Sequence, residues 1–223
     1  MQYPKWLSLA LSAKRSNWLI DLSASDRNAV KCVYEHFQKY RGQGYQLQKN
    51  GTQLVGHIPH LGPKAYIHEL FAPISGREIR RMEKQLGKAI PKELGSLYHQ
   101  FNGISFYHSA INLFGSTTGI KYDDDNRYPF PLVNGNHPLK TPPETTSEIL
   151  YIGTCGMDAS LIYHNAVDGT VHRTSRKKLL PLASWGSIDQ WIEMEIKRLD
   201  AIAERSQPFE MIGPDHLPMG KYS

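Results

Sequence analysis

The segment SGREIRRMEKQLGKAIPKELGSLYHQFNG, Ser75–Gly103, contains start and stop signals for two consecutive helices. Ser75 and Glu78 match the S-x-x-E capping box, in which each side chain accepts a hydrogen bond from a backbone amide at the start of a helix. One apolar stripe follows at positions i, i+3 and i+7: Ile79, Met82 and Leu86. Gly87 then supplies the residue without Cβ that a left-handed helix end favours. The first helix is therefore predicted from Ser75 to Gly87.

The second half of this segment predicts another helix, separated from the first by a tight connector. Pro91 suits a first helical turn, because its φ is already helical and its missing N–H has no partner there in any case. A second apolar stripe follows: Leu94, Leu97, Tyr98 and Phe101. Asn102-Gly103 then ends the helical pattern.

Upstream of the helix pair, the sequence predicts a helix and a β-hairpin. Helical spacing of apolar residues runs from Asp26, a residue type that caps helices, to Gly42. Two alternating runs, 45–48 and 52–58, then flank Asn50-Gly51, a dipeptide typical of the type I′ hairpin turn.

Downstream, five short apolar runs predict strands: 104–107, 111–114, 149–154, 161–164 and 170–173. The last two runs flank a hairpin loop in which Gly169 can take the left-handed position. Ser187 and Gln190 form a second capping box, which opens a long final helix. Because strands and helices segregate instead of alternating as βαβ units, we predict an α+β fold with a predominantly antiparallel sheet packed by helices.

The composition is that of an ordinary globular protein and limits the functional classes. Of the 223 residues 40% are hydrophobic, and the two cysteines are too few for a disulfide framework. No apolar run approaches the ~18 residues of a membrane span. The first residues predict a helix and not a signal peptide, so the cytoplasm is the expected location. The net charge of +5 favours association with acidic partners in general.

The stretch 115–148 differs from the rest, since it is rich in Pro, Gly, Asn, Asp and Thr and has no clear period. Connections longer than about 12–15 residues are usually functional or disordered, and composition alone does not distinguish a binding loop from a passive insertion. We predict partner contacts here and at the turn near Asp158, because exposed irregular segments on a rigid sheet commonly carry recognition. The predicted contact residues are Tyr122, Asp123, Asp124, Asp125, Tyr128 and Asp158.

Three residue groups invite a chemical interpretation that the spacing does not favour. His57, His60 and His68 match no common zinc arrangement. Cys155 would need a base that the fold brings to it, with His164 and His172 as candidates, and we expect it instead to pack as a small hydrophobe. The basic cluster Arg173, Arg176, Lys177 and Lys178 lacks the interleaved aromatics of a nucleic-acid site. We therefore expect no catalytic residue, no metal and no cofactor.

The order of motifs resembles the SUKH superfamily, the Smi/Knr-like proteins, over roughly residues 71–200. Within the helix pair the matching residues are Ile79, Glu83, Leu86, Gly87, Ile90-Pro91, Tyr98 and Asn102-Gly103. Beyond it they are Ile152-Gly153, Asp168-Gly169-Thr170-Val171, Ser187-Ile188 and Trp191. The resemblance implies a domain at 71–205, an N-terminal helix and hairpin extension at 1–70, and a tail at 206–223.

The same resemblance implies a function. Bacterial members of the superfamily are often immunity proteins that bind and neutralise a cognate toxin domain of a polymorphic toxin system, and the family is not known for catalysis. The implied partner is therefore a toxin protein domain, with neither a membrane nor nucleic acid expected. The basic net charge leaves a second hypothesis open, a regulatory scaffold or a nucleic-acid-associated protein that uses a basic surface.

Overall fold

The computed structural model describes residues 24–59, 61–118, 120, 122–156 and 158–205, with side chains described from residue 29 to residue 204. The sequence patterns at 1–23, His60, Lys121 and the tail from 206 lie outside these residues. None of the helices in the described part is long and apolar enough to cross a membrane.

Within the described residues, the core of the fold is one nine-stranded antiparallel sheet in which every strand pairs with its neighbour in sequence. Its strands are β1 (Tyr45–Leu47), β2 (Gln53–His57), β3 (Tyr66–Leu70), β4 (Ile104–Phe106), β5 (Ile111–Leu113), β6 (Ile149–Cys155), β7 (Leu161–Asn165), β8 (Val171–Thr174) and β9 (Pro181–Trp185). The α+β prediction is confirmed. The hairpin β1–β2 is joined to β4–β9 through β3, so all nine strands belong to a single sheet.

In the residues that the structure describes, five helices and one 3₁₀ turn accompany the sheet. They are α1 (Ala24–Arg41), α2 (Gly76–Leu86), α3 (Lys92–Tyr98), α4 (Leu132–Gly135), the 3₁₀ turn Pro138–Lys140 and α5 (Ile188–Arg205). Helix α1 begins at Ala24 and not after Asp26. Helices α1, α3 and α5 pack together on one face of the sheet, which we call the helical face.

The capping signals of α2 act as predicted, whereas Pro91 is the N-cap of α3 and not its first helical residue, and α3 ends at Tyr98, before Asn102-Gly103. Ser75 Oγ accepts from Glu78 N–H, the Glu78 carboxylate accepts from Ser75 N–H, and Gly87 is left-handed with φ 66°. The Asn102 amide has a further role, since it exchanges two hydrogen bonds with the Ser116 backbone, at 2.6 and 2.7 Å. The end of the helix pair is thereby joined to the start of the 115–148 stretch.

Two strands escaped the sequence pattern, and one turn has a different geometry. Strand β3 turns His68 into the core, and the edge strand β9 is mostly exposed. At Asn50-Gly51, only Gly51 has positive φ (83°), whereas a type I′ turn needs two such residues. Asn50 Oδ1 instead accepts from Thr52 N–H at 3.0 Å, which closes the turn through the side chain.

Candidate partner-binding surface

The described part of the 115–148 stretch is an excursion packed on the domain: residues 122–131 lie over the sheet face opposite α1, α3 and α5, whereas Thr118 and α4 contact α2. Gly115 bridges to Pro131, and the neighbouring Leu132 is fully buried. Further along, the Thr145 and Tyr151 hydroxyls are 2.8 Å apart, which ties the excursion to β6.

The described segment 122–128, which we call the acidic loop, is fastened to the β1–β2 hairpin by side chains of the turn. The Gln48 amide donates to Asp125 O at 2.8 Å and accepts from Arg127 N–H at 2.7 Å. Asn50 Nδ2 donates to Arg127 O at 2.7 Å. Lys64 Nζ forms an exposed ion pair with Asp125 at 3.2 Å. These contacts fix the loop backbone against the end of the sheet.

Within the acidic loop, the predicted contact residues hold each other in place. Asp123 Oδ1 accepts from Asp125 N–H at 3.0 Å, the hydrogen bond of an Asx turn. Asp123 N–H donates to the Tyr128 hydroxyl at 3.0 Å. The Tyr122 and Tyr128 rings meet edge to face with centroids 4.9 Å apart. Five of the six predicted contact residues, Tyr122 to Asp125 and Tyr128, are therefore gathered in one small loop.

Between the acidic loop and the sheet lies a cleft of ≈ 500 Å³, which we call the open-face cleft. Polar residues that face this side of the sheet contribute to its lining: Glu69, Ser105, Asn112 and Thr154. Arg127 Nε lies 3.7 Å from Glu69 Oε1. Burial raises the pKa of Glu69, and the charges of Arg127 and His108 oppose this rise only in part.

The rim of the cleft exposes large aromatic side chains next to carboxylates. Tyr122 is 63% exposed and Phe130 is 45% exposed, although the Phe130 ring is supported by Phe114 at 4.7 Å. An exposed ring on a fixed backbone loses little conformational entropy when a partner covers it. The rim therefore suits recognition of a protein surface.

Asp158 belongs to a different part of the surface. It lies in the β6–β7 turn, where its carboxylate accepts from Ser160 N–H at 3.0 Å and pairs with the buried Arg173 guanidinium. Partial burial raises the pKa of Asp158, but the hydrogen bonds from Ser160 and the charge of Arg173 outweigh this effect. The net pKa of Asp158 is therefore lowered from 3.8. These contacts give Asp158 a structural role that the sequence pattern did not indicate.

The helical face contains a buried cluster of ionisable side chains contributed by α1, α5 and the sheet. The members are His36, Tyr40, His68, Tyr107 and Asp200. His36 and His68 are only 4% and 0% exposed, so a substrate could not reach either ring without displacing α1. The cluster is therefore part of the core, and we propose no catalytic role for it.

The other sequence candidates also occupy structural positions. Cys155 is 5% exposed in the core, as expected for a small hydrophobe. His57 packs against Tyr66 on the neighbouring strand. Among the described residues no group of three His, Cys, Asp or Glu side chains lies close enough to hold a metal ion.

Sequence reasoning identified Tyr122 and Tyr128 on the loop side of the cleft but missed the residues that line it from the sheet. Glu69 and Arg127 meet across it, yet they are separated by 58 positions of chain, and β3 was not predicted. The polar side chains of Ser105 and Asn112 alternate with apolar neighbours, which was a usable sign of a second covered face. No family model and no curated protein matches this chain.

Proposed function

We propose that this protein is a non-enzymatic immunity protein that binds and neutralises a cognate bacterial toxin domain. The observation that carries the proposal is the acidic loop, whose aromatic and carboxylate side chains are exposed while its backbone is fastened to the sheet. Binding by a preorganised surface avoids the entropic cost of ordering a loop.

The chemistry of the rim supports a protein partner. Interface hot spots are enriched in Tyr, Trp and Arg, and they cluster where a ring enters a pocket of the partner. Tyr122, Tyr128 and Arg127 lie together here, with Asp123 and Asp124 beside them. A toxin domain with a basic patch around an apolar pocket would complement this surface, even though the whole chain carries a net charge of +5.

The SUKH resemblance supports the same class of function, and the matching residues have definite structural roles. Gly87 ends α2 in the left-handed region, and Gly169 adopts φ 75° in the β7–β8 turn. A Cβ at Gly153 would come within 3.3 Å of the Trp191 ring. These roles explain why a chain with this architecture needs the residues at those positions. Membership of the superfamily is part of the proposal.

The proposed mode of action is blockade in the cytoplasm, where the acidic loop and the rim of the open-face cleft cover the toxin surface that meets its target. Steric exclusion and local charge complementarity are sufficient for this blockade, because neutralisation by binding makes or breaks no covalent bond in the toxin. The protein therefore acts in a stoichiometric complex.

The test is binding to the C-terminal domain of a toxin encoded beside this gene, measured by calorimetry and by survival of cells that express the toxin. Tyr122→Ala combined with Asp124→Lys is expected to weaken binding by at least about tenfold, the size of one lost hot spot. Leu139→Ala with Glu144→Lys is the matched control, since both residues are exposed in the same excursion and the charge change is identical.

Equal affinity of the two double variants would refute the acidic loop as the contact surface while leaving toxin binding intact. Absence of any complex with the neighbouring toxin domain would refute the function itself. Deleting the entire excursion is a poorer test, because it would remove the buried Leu132 and the Asn136 hydrogen bonds to Tyr151.

A further inference from the structure

Helix α2 is amphipathic in an unusual way, because its outer face consists of cations. At 100° per residue, Arg77, Arg80, Arg81 and Lys84 fall within an arc of about 100°. The apolar stripe of the helix, with Ile79 and Met82 buried, lies on the opposite side. All four cationic side chains are exposed. We call them the basic face of α2.

In the described structure, the cations of the basic face form no ion pair with the two carboxylates of their own helix. Both carboxylates of α2 are engaged at its ends: Glu78 caps the backbone of Ser75, and Glu83 Oε1 accepts from Ile90 N–H at 3.0 Å. None of the four cations forms an ion pair within the part of the chain that the structure describes. Arg77 and Arg81, like Arg80 and Lys84, are like charges at i and i+4, which repel each other on a helix.

The basic face also lacks the apolar residues that a protein interface requires. The exposed large hydrophobic residues of the described chain lie elsewhere, for example Tyr122 and Phe130 at the cleft, and α2 contributes none. Protein interfaces are built around a desolvated apolar centre, whereas contact with a phosphate backbone needs only cations that release condensed counterions. The aromatic rings and carboxylates of the cleft rim therefore suit a protein partner, whereas the purely cationic face of α2 suits a polyanion.

We propose that the basic face of α2 binds the phosphate backbone of nucleic acid without reading base sequence. The row from Arg77 to Lys84 spans about 10 Å along the helix axis, so it can meet successive phosphates of one strand. The site differs from the basic cluster at 173–178, where Arg173 is buried against Asp158 and Arg176 Nε donates to Ala159 O at 2.7 Å. The proposal goes beyond toxin binding and does not depend on it.

The experiment is a fluorescence anisotropy titration of labelled double-stranded DNA with the full chain over a range of salt concentrations. Four phosphate contacts predict a slope of log affinity against log salt of about −3 to −4, which is about a hundredfold loss between about 50 and 200 mM salt. Arg77→Glu with Arg81→Glu is expected to weaken low-salt binding by about tenfold or more and to reduce the slope by roughly half. Circular dichroism and thermal melting of the variant confirm that α2 still folds.

Lys177→Glu with Lys178→Glu is the matched control, because both lysines are exposed and the net charge changes by the same amount. The proposal is overturned if this control loses as much affinity as the α2 variant, since binding would then follow net charge alone. Absence of DNA binding at low salt overturns it as well. The proposal is also overturned if polyglutamate of matched charge displaces DNA at equal concentration, because the basic face would then bind acidic protein equally well.

Discussion

At the scale of single residues, the buried cluster of the helical face shows how polar groups are accommodated in this core. The Tyr40 and Tyr107 hydroxyls are 2.7 Å apart, and both donate to the Asp200 carboxylate. His36 Nδ1 lies 3.4 Å from Asp200 Oδ1, near enough for an ion pair when the ring is protonated but not aligned as a hydrogen bond. His68 Nδ1 accepts from Tyr107 N–H at 3.3 Å.

The protonation states of this cluster predict that acid destabilises the protein. Burial lowers the pKa of His68 well below 6.5, so the unfolded chain takes up that proton first and stability is lost as the pH falls below about 6.5. Burial raises the pKa of Asp200, but its contacts with His36 and Tyr107 outweigh this effect and lower the pKa below 3.8. The stability that ionised Asp200 contributes is therefore lost only as the pH falls below about 3.8. Each group contributes up to about 1.4 kcal/mol per pH unit of its window.

Urea denaturation at a series of pH values between neutral and pH 4 measures this slope. His68→Leu is expected to flatten the dependence below about pH 6.5 whatever it does to the absolute stability, because Leu cannot take up a proton. A slope unaffected by His68→Leu would show that other groups carry the acid sensitivity. Glu69 acts in the opposite sense, since its raised pKa makes the folded state bind a proton before the unfolded state does.

At the scale of elements, two glycines inside secondary structure differ in whether the packing leaves room for a side chain. Gly95 lies inside α3, and a Cβ added there would meet nothing within 4 Å. Gly153 lies in β6, where a Cβ would come to 2.3 Å from Asn112 O on the neighbouring strand. Only the second position requires the absence of a side chain.

Alanine at these two positions is expected to shift stability in opposite directions. Gly95→Ala should raise the free energy of unfolding by roughly 0.5–1 kcal/mol, because the unfolded chain loses freedom and the helix gains a better former. Gly153→Ala should lower it by about 3 kcal/mol, because the strand backbone must move to relieve the clash. Chemical denaturation of the two variants compares them directly, and destabilisation by Gly95→Ala would contradict the packing described around α3.

The elements that sequence patterns missed are those whose environment is set by neighbours. Strand β3 presents His68 to the core and Glu69 to the cleft, so its alternation does not separate apolar from polar residues. Strand β9 pairs only with β8 and keeps three of its five residues exposed. By contrast, α2 and its capping box were predictable, because local hydrogen bonds and one apolar stripe define them.

At the scale of the whole molecule, the sequence-ordered sheet predicts a gradient of local stability. Strands β6 and β7 are hydrogen bonded on both sides and mostly buried, whereas β1 and β9 are the two edges. The amide hydrogens of edge strands exchange through local fluctuations, whereas those of central strands exchange only when a larger part of the protein unfolds. Hydrogen exchange measured by mass spectrometry should therefore be slowest in β6 and β7 and fastest in β1 and β9. Equal protection across the sheet would indicate that the edges are covered.

The two proposed surfaces differ in composition and in the element that carries each. The cleft rim combines aromatic rings with carboxylates, and the basic face of α2 is purely cationic. The composition of neither surface follows from the net charge of +5, because binding depends on where charges lie on the surface and not on their sum. The sequence pattern indicates only the cluster at 173–178 as basic, since the α2 cations are spread among apolar positions and gather only when the segment is wound as a helix.

What the sequence by itself determined are the features that depend on near neighbours: the capping box of α2, the apolar stripes, the left-handed glycines and the α+β class. These follow from backbone hydrogen bonding and side-chain period, which a short window contains. Only the tertiary structure decided that residues 122–131 fold over the open face, that Glu69 meets Arg127, and that Asn102 holds Ser116. Such contacts join residues distant in the chain, and their partners are selected by the packing of the whole sheet, which no local pattern encodes.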